Sequence, residues 1–123
     1  MKTLYVFGNV YLENDSFALE IAKRIGHLVR VVHCKSPEFL LDTEENELLI
    51  MDVVKDIKKP ILITDISQLK VRNLISLHDF DLGFFLNLLR EIGINKKIKI
   101  IGIPHKGDIV EISEEVSKYL VWN

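Results

Sequence analysis

The sequence is poor in the residues and patterns that mark several common classes of protein. It has 123 residues but a single cysteine, which rules out an internal disulfide and favours a reducing compartment. No apolar run approaches the roughly 18 residues that a membrane span needs. The start of the chain shows no signal-peptide pattern. We therefore expect a cytoplasmic protein that does not associate with membranes.

An excess of charge of either sign is also missing. The 16 basic and 18 acidic side chains leave a formal net charge of −2 at pH 7. Such a balance gives no bulk attraction for nucleic acid or for anionic lipid. The short lysine-containing runs at residues 55–59 and 96–99 are interpreted as solvated charge flanking strands. Nucleic acid is therefore not an expected partner.

Glycine is infrequent, and the motifs that depend on it do not occur. The sequence has no G-x-S-x-G elbow and no G-x-x-x-x-G-K-[ST] loop, and it also has no H-E-x-x-H pair. The signatures of serine hydrolases, P-loop proteins and zincins are thus missing. Gly8 alone does not make a dinucleotide fingerprint. No organic cofactor is expected.

What the chain does have is an apolar pattern that alternates between strands and helices. Its hydrophobic content of 48% is sufficient for one packed core, so we expect a single domain over residues 1–123. Phe17, Ile21 and Ile25 share one face of a helix that Gly26 ends. A second helix is predicted to open around residues 79–82 and to end near Gly93, with its apolar stripe at residues 82–89. A third is expected near the end of the chain, with Ser113 as its cap. Buried strands are predicted at residues 3–7, 29–32, 48–51, 61–64 and 98–103.

The order of these elements predicts the fold. The opening is a β-α-β unit, which joins parallel strands. The third and fourth strands are separated by too few residues for a helical crossover, so we expect them to form an antiparallel pair. The prediction is a three-layer α/β/α fold with a mainly parallel five-stranded sheet that includes one antiparallel strand.

Three polar residues are predicted to meet at one edge of this sheet. Asp15 begins the first helix, Asp52 ends the third strand, and His78 precedes the helix at residues 82–89. Open α/β sheets bind ligands beyond the carboxyl ends of their strands, where the strand order reverses. Two carboxylates and an imidazole suit nickel, zinc or iron. Each residue also has an ordinary structural explanation, as a helix cap, a strand end or a hydrogen-bonded loop histidine.

Four segments carry a resemblance to a known family. They are GNVYLEND at residues 8–15, LIMDVV at residues 49–54, SLHDFDL at residues 76–82 and IKIIGIP at residues 98–104. In this order they resemble motifs of the endopeptidases that mature the large subunit of nickel–iron hydrogenases. The likeness extends over most of the chain, and the Ser-x-His-Asp motif is its most specific part.

The resemblance implies a function and a set of site residues. The positions that bind metal in the family match Asp15, Asp52 and His78; Asp65 also ends an apolar strand but lacks the Asp-x-Val context of Asp52. It implies an endopeptidase that removes a C-terminal extension from a hydrogenase large-subunit precursor. Nickel is then carried by the substrate, and the same three residues are the expected catalytic group. The alternative is a non-catalytic binding or chaperone module on the same scaffold. The oligomeric state is not predicted.

Some residues depart from the family pattern or invite another interpretation. Asn14 stands where an acid is usual, which removes one candidate general base. His33 and Cys34 suggest a thiol nucleophile with its base, but adjacent strand residues point to opposite faces. We therefore expect Cys34 to be a small buried residue. His27 and His105 are interpreted as surface histidines.

Overall fold

The fold was described from a computed structural model. The structure describes residues 2–7, 13–34, 47–54, 56–64 and 97–121, with the backbone alone at residues 13–15 and 121. In chain order the elements are β1 (Thr3–Phe7), α1 (Glu13–Ile25), β2 (Arg30–Cys34), β3 (Glu47–Val53), β4 (Ile61–Ile63), β5 (Lys97–Ile103) and α2 (Ile109–Val121). Neither α1 nor α2 is long and apolar enough to cross a membrane.

The five strands form one mixed sheet in the order β2-β1-β3-β5-β4. β1 pairs in parallel with β2 and β3, and β3 pairs in parallel with β5. β4 is antiparallel to β5. The predicted α/β fold, with a mainly parallel sheet and one antiparallel strand, is therefore confirmed.

The predicted pairing of the third and fourth strands is wrong. β5 lies between β3 and β4, and β4 pairs with it through Ile61↔Gly102 and Ile63↔Ile100. β5 matches β3 along seven register positions, from Glu47↔Lys97 to Val53↔Ile103, whereas β4 has three residues. The longer apolar strand therefore takes the buried central position. Residues 54–60 need to cross only two strand spacings, roughly 10 Å, which a chain of this length reaches easily.

Both faces of the sheet are apolar and buried. α1 and α2 pack together on one face, over a core that includes Leu4, Met51 and Ile101. The alternate residues of the same strands form a second buried cluster on the other face: Tyr5, Phe7, Cys34, Leu48, Ile50, Ile63 and Ile100. Burial on both faces is typical of a parallel sheet in a layered α/β fold. The helix predicted over residues 82–89 lies outside the described residues.

The two described helices differ in how well their limits could be predicted. α1 ends at Ile25, and the Gly26 amide donates to the Lys23 carbonyl at 3.4 Å, as expected for a helix stop. α2 begins earlier than its apolar stripe suggested. Its cap is Asp108, whose Oδ1 accepts from the amides of Val110 and Glu111 at 3.0 Å each.

Ser113 is therefore not the cap that the sequence predicted. It lies inside α2, where its hydroxyl donates to the Ile109 carbonyl at 2.6 Å. The signal for the true start was an acid followed three positions later by a glutamate, Asp108 and Glu111, directly before an apolar stripe.

Candidate active site at the carboxyl edge of the sheet

The strand order creates a reversal point between β1 and β3. β2 flanks β1 on one side, and β3 flanks it on the other. Because β1, β2, β3 and β5 are parallel, their carboxyl ends lie at one edge of the sheet. We call this the carboxyl edge; it is formed where the strands end at Phe7, Cys34, Val53 and Ile103.

Asp52 lies at this edge in the middle of the sheet. The register pairs it with Gly102 of β5, and on the other side Val6 pairs with the preceding residue, Met51. By strand alternation Asp52 shares the face of Leu48 and Ile50, opposite α1 and α2. It is 1% exposed although its neighbours along β3 are almost all apolar.

A carboxylate at such a position needs polar partners. Burying a charge costs several kcal/mol unless hydrogen bonds or an opposite charge compensate it. One partner of Asp52 is local, since its Oδ1 accepts from the Val53 amide at 2.9 Å. This bond fixes the orientation of the carboxyl group relative to the end of β3. An aspartate that is buried and oriented at a reversal point is a candidate functional residue.

Gly102 makes the close packing beside Asp52 possible. A Cβ atom added there would lie 2.9 Å from Val54 Cγ2 and 3.0 Å from Ile61 Cγ1. The missing side chain thus lets the residue after β3 and the first residue of β4 close over β5. This packing holds the end of β3, and with it Asp52, next to β5.

The structure brings the backbone of Asp15 to the same edge. α1 connects the carboxyl end of β1 to the amino end of β2, so its first turn lies at the carboxyl edge. Asp15 belongs to that first turn, because α1 begins at Glu13. Its side chain and the whole of His78 lie outside the described residues. Among the side chains that are described, no group of three or more His, Cys, Asp or Glu is placed to hold a metal ion. The metal-binding role of Asp15, Asp52 and His78 stays a prediction.

Cys34 and His33 are separated as the sequence predicted. Cys34 is 2% exposed in the cluster with Phe7, and His33 is exposed. Burial raises the pKa of the Cys34 thiol from 9.0 to about 11. At neutral pH the thiol is therefore protonated and is a poor nucleophile. The pair does not form a thiol–imidazole catalytic unit.

One histidine differs from its predicted environment. His27 is exposed, as expected, but His105 is half-buried in the connection from β5 to α2. Its Nδ1 is buried and has no hydrogen-bond partner in the part of the chain that the structure describes. Such a nitrogen needs an explanation, because buried polar atoms are nearly always satisfied. His105 follows the carboxyl end of β5 and is therefore an additional candidate at this edge. Its only sequence signal was its position two residues after the last strand.

Comparison with known proteins supports the fold rather than any single residue. No protein-family model matches the sequence, and no curated protein matches it. A solved structure described as the hydrogenase 3 maturation protease matches 98% of this chain and 89% of its own, with a TM-score of 0.64 and 17% sequence identity. This likeness agrees with the resemblance carried by the four sequence segments. The chain therefore has the fold of a hydrogenase maturation protease.

Proposed function

We propose that this protein is a metal-recognising endopeptidase that removes the C-terminal extension of a nickel–iron hydrogenase large-subunit precursor. The observation that carries the proposal is Asp52, a buried and oriented carboxylate at the reversal point of a sheet with the fold of a maturation protease. The motifs around Asp15, Asp52 and His78 support the same activity. The buried free thiol of Cys34 suits the cytoplasm, to which we assign this reaction.

In the proposed reaction nickel belongs to the substrate. The precursor brings the ion, and Asp15, Asp52 and His78 of the enzyme add ligands to it, which holds the scissile bond at the carboxyl edge. A bound nickel ion can polarise a carbonyl group or lower the pKa of a water molecule. The chain's own contribution to this reaction is two carboxylates and an imidazole.

The surroundings of Asp52 affect how strongly it attracts an ion. Attraction between a carboxylate and a cation rises as the effective dielectric constant falls, so an ion that gains access to Asp52, which is 1% exposed, is attracted more strongly than at an exposed carboxylate. The hydrogen bond from the Val53 amide limits reorientation of the carboxyl group when the ion arrives. A precursor without nickel lacks this attraction, because it offers no cation that the acidic side chains of the enzyme can bind.

A set of variants tests the assignment of the site. Purified protein is incubated with its nickel-loaded precursor, and the mass of the large subunit is followed. We expect Asp52→Asn and His78→Ala to reduce cleavage at least about 100-fold, because each removes a ligand that fixes the reacting groups. The side-chain amide introduced by Asp52→Asn still offers an oxygen to the Val53 amide, so the free energy of unfolding should change by no more than about 1 kcal/mol.

Cys34→Ala is the matched control. Cys34 is as buried as Asp52 but has no role in the proposed site, so this variant should keep its activity. Full activity of Asp52→Asn would remove Asp52 from the site. Stable binding of the precursor by the wild-type protein, with no change in its mass, would favour the non-catalytic module instead.

A further inference from the structure

β2 is an edge strand in the part of the chain that the structure describes. The sheet order places it at one end, where it pairs with β1, and no other described strand pairs with it. Arg30 and His33 are exposed, while Val31 and Val32 are half-buried. The backbone N–H and C=O groups of such an edge can add a further strand.

A groove of about 910 Å³ lies beside this edge, between β2 and the end of α1. Its apolar part includes Ala22, Val29 and Val31. Val31 and His33 alternate onto the face that α1 covers, so both can meet a chain lying in the groove. We call the outer edge of β2, together with this groove, the β2 edge groove.

The charge of the groove has one sign. Its ionisable lining residues are Lys23, Arg30 and His33, and no carboxylate lines it in the part of the chain that is described. Lys23 is 3.6 Å from Glu20, but both side chains are more than half exposed and the pair is weak. This local basic character contrasts with the net charge of −2 of the whole protein.

We propose that the β2 edge groove binds an extended acidic segment of a partner protein, which adds to the sheet as a sixth strand next to β2. The backbone of the segment pairs with β2. On the side that α1 covers, an apolar side chain of the segment packs beside Val31 and a carboxylate meets Lys23 and His33; on the other side a carboxylate meets Arg30. Strand addition of this kind takes affinity from main-chain hydrogen bonds and specificity from alternate side chains.

The site is separate from the proposed proteolytic site. Most of its lining lies near the amino ends of β1 and β2 or in the turn after α1, whereas Asp52 is at the carboxyl edge. Charged residues on an edge strand also protect it against aggregation. Protection against aggregation would explain charged residues on the strand. It would not explain an apolar groove beside the strand, or why the charged residues are basic and none is acidic.

The first experiment uses a capped seven-residue peptide, Glu-Glu-Val-Val-Glu-Glu-Val, which presents Glu and Val on both faces of a strand, with a Lys/Val peptide of the same pattern as its control. Binding is followed by amide chemical shifts of the ¹⁵N-labelled protein. The Glu/Val peptide should shift the amides of β2, and the Lys/Val peptide should not. Shifts confined to other elements, or equal binding of both peptides, would overturn the proposal.

Charge reversal provides a matched pair of variants. Lys23→Glu/Arg30→Glu should weaken binding of the Glu/Val peptide at least tenfold. Lys58→Glu/Lys118→Glu, on residues near β4 and on α2, should not. Each replacement lowers the charge by two, so both double variants go from −2 to −6. Equal weakening in the two double variants would mean a general charge effect and would reject the groove.

Backbone methylation separates strand addition from simple charge attraction. In an added strand, alternate residues direct their N–H groups toward β2 and the others direct them away. Of two Glu/Val peptides, N-methylated at odd or at even positions, one should lose binding and the other should keep it. Equal binding of both would reject an added strand.

Concentration-dependent shifts of β2 without peptide would identify a second copy as the occupant, and displacement of the peptide by single-stranded oligothymidine would indicate nucleic acid; both would contradict the proposal.

Discussion

Cys34 and Asp52 show how the same degree of burial serves two different side chains. Cys34 is 2% exposed and packs with Phe7, and its Sγ lies 3.9 Å from the Val32 carbonyl, a weak contact. Asp52 is 1% exposed and is held by the Val53 amide. A thiol behaves as a small apolar group at such a position, whereas a carboxylate is costly there. Packing explains the first residue, and the second is a candidate for a functional role.

The raised pKa of Cys34 predicts a loss of stability at alkaline pH. In the unfolded chain the thiol ionises near 9.0, and in the folded protein only near 11. The protonated thiol of Cys34 therefore makes its full contribution to the free energy of unfolding below pH 9, and this contribution is lost as the pH rises toward 11. By pH 11 the loss should be about 2 kcal/mol. Urea unfolding of the wild-type protein and of Cys34→Ala at pH 8, 9, 10 and 11 measures this loss. Tyrosine and lysine titrate in both proteins, so the difference between the two pH profiles isolates the effect of Cys34. Parallel pH profiles would show that Cys34 does not contribute.

At the scale of elements, the end of β3 and the short β4 depend on one glycine. Gly102→Ala adds a Cβ within 3.0 Å of Val54 and Ile61 side-chain atoms near their backbones. We expect it to lower the free energy of unfolding by about 1–3 kcal/mol and the melting temperature by roughly 4–12 °C. Gly26→Ala is the control, because a Cβ there meets carbonyl oxygens at an ordinary 3.5 Å. Calorimetry should show this control unchanged or slightly stabilised. Equal melting temperatures for the two variants would contradict the packing argument.

Helices and strands could be predicted where a local sequence pattern determines them. The order in which strands pair could not be predicted where it depends on residues far apart in the chain. The five strands follow from short apolar runs, and the end of α1 follows from Gly26. The partner of β4 depends on whether β3 pairs better with β4 or with the longer β5, which lies more than 30 residues further on. Local spacing carries no information on that competition. The capping pattern of Asp108 and Glu111 indicates the start of α2, whereas the apolar stripe indicates only its later residues.

Residues of the candidate site were predictable to different degrees. Asp52 was identified because it directly follows an apolar strand and belongs to a motif, and the structure places it at the reversal point. Its burial, and the hydrogen bond from the Val53 amide, depend on how the end of β3 packs in the sheet, which no local pattern shows. His105 could not be distinguished from an ordinary surface histidine by sequence, because an unsatisfied buried nitrogen depends on how the connection folds.

At the scale of the whole molecule, the fold is shared with a hydrogenase maturation protease at 17% identity. Few side chains are therefore common to the two proteins, and what they share is the fold. A fold of this kind supports several functions, so activity has to be argued from the site. The carboxylate of Asp52 and the motifs that contain Asp15 and His78 provide that argument.

In the proposed function, nickel in the precursor is required for cleavage. The most direct measurement incubates the purified protein with nickel-loaded and metal-free forms of one precursor and follows the mass of the large subunit. We expect a single cut near the C-terminus of the nickel-loaded form and none in the metal-free form. The reason is that the acidic side chains have no cation to attract in the metal-free form, so the scissile bond is not positioned. Equal cleavage of the two forms would contradict nickel recognition.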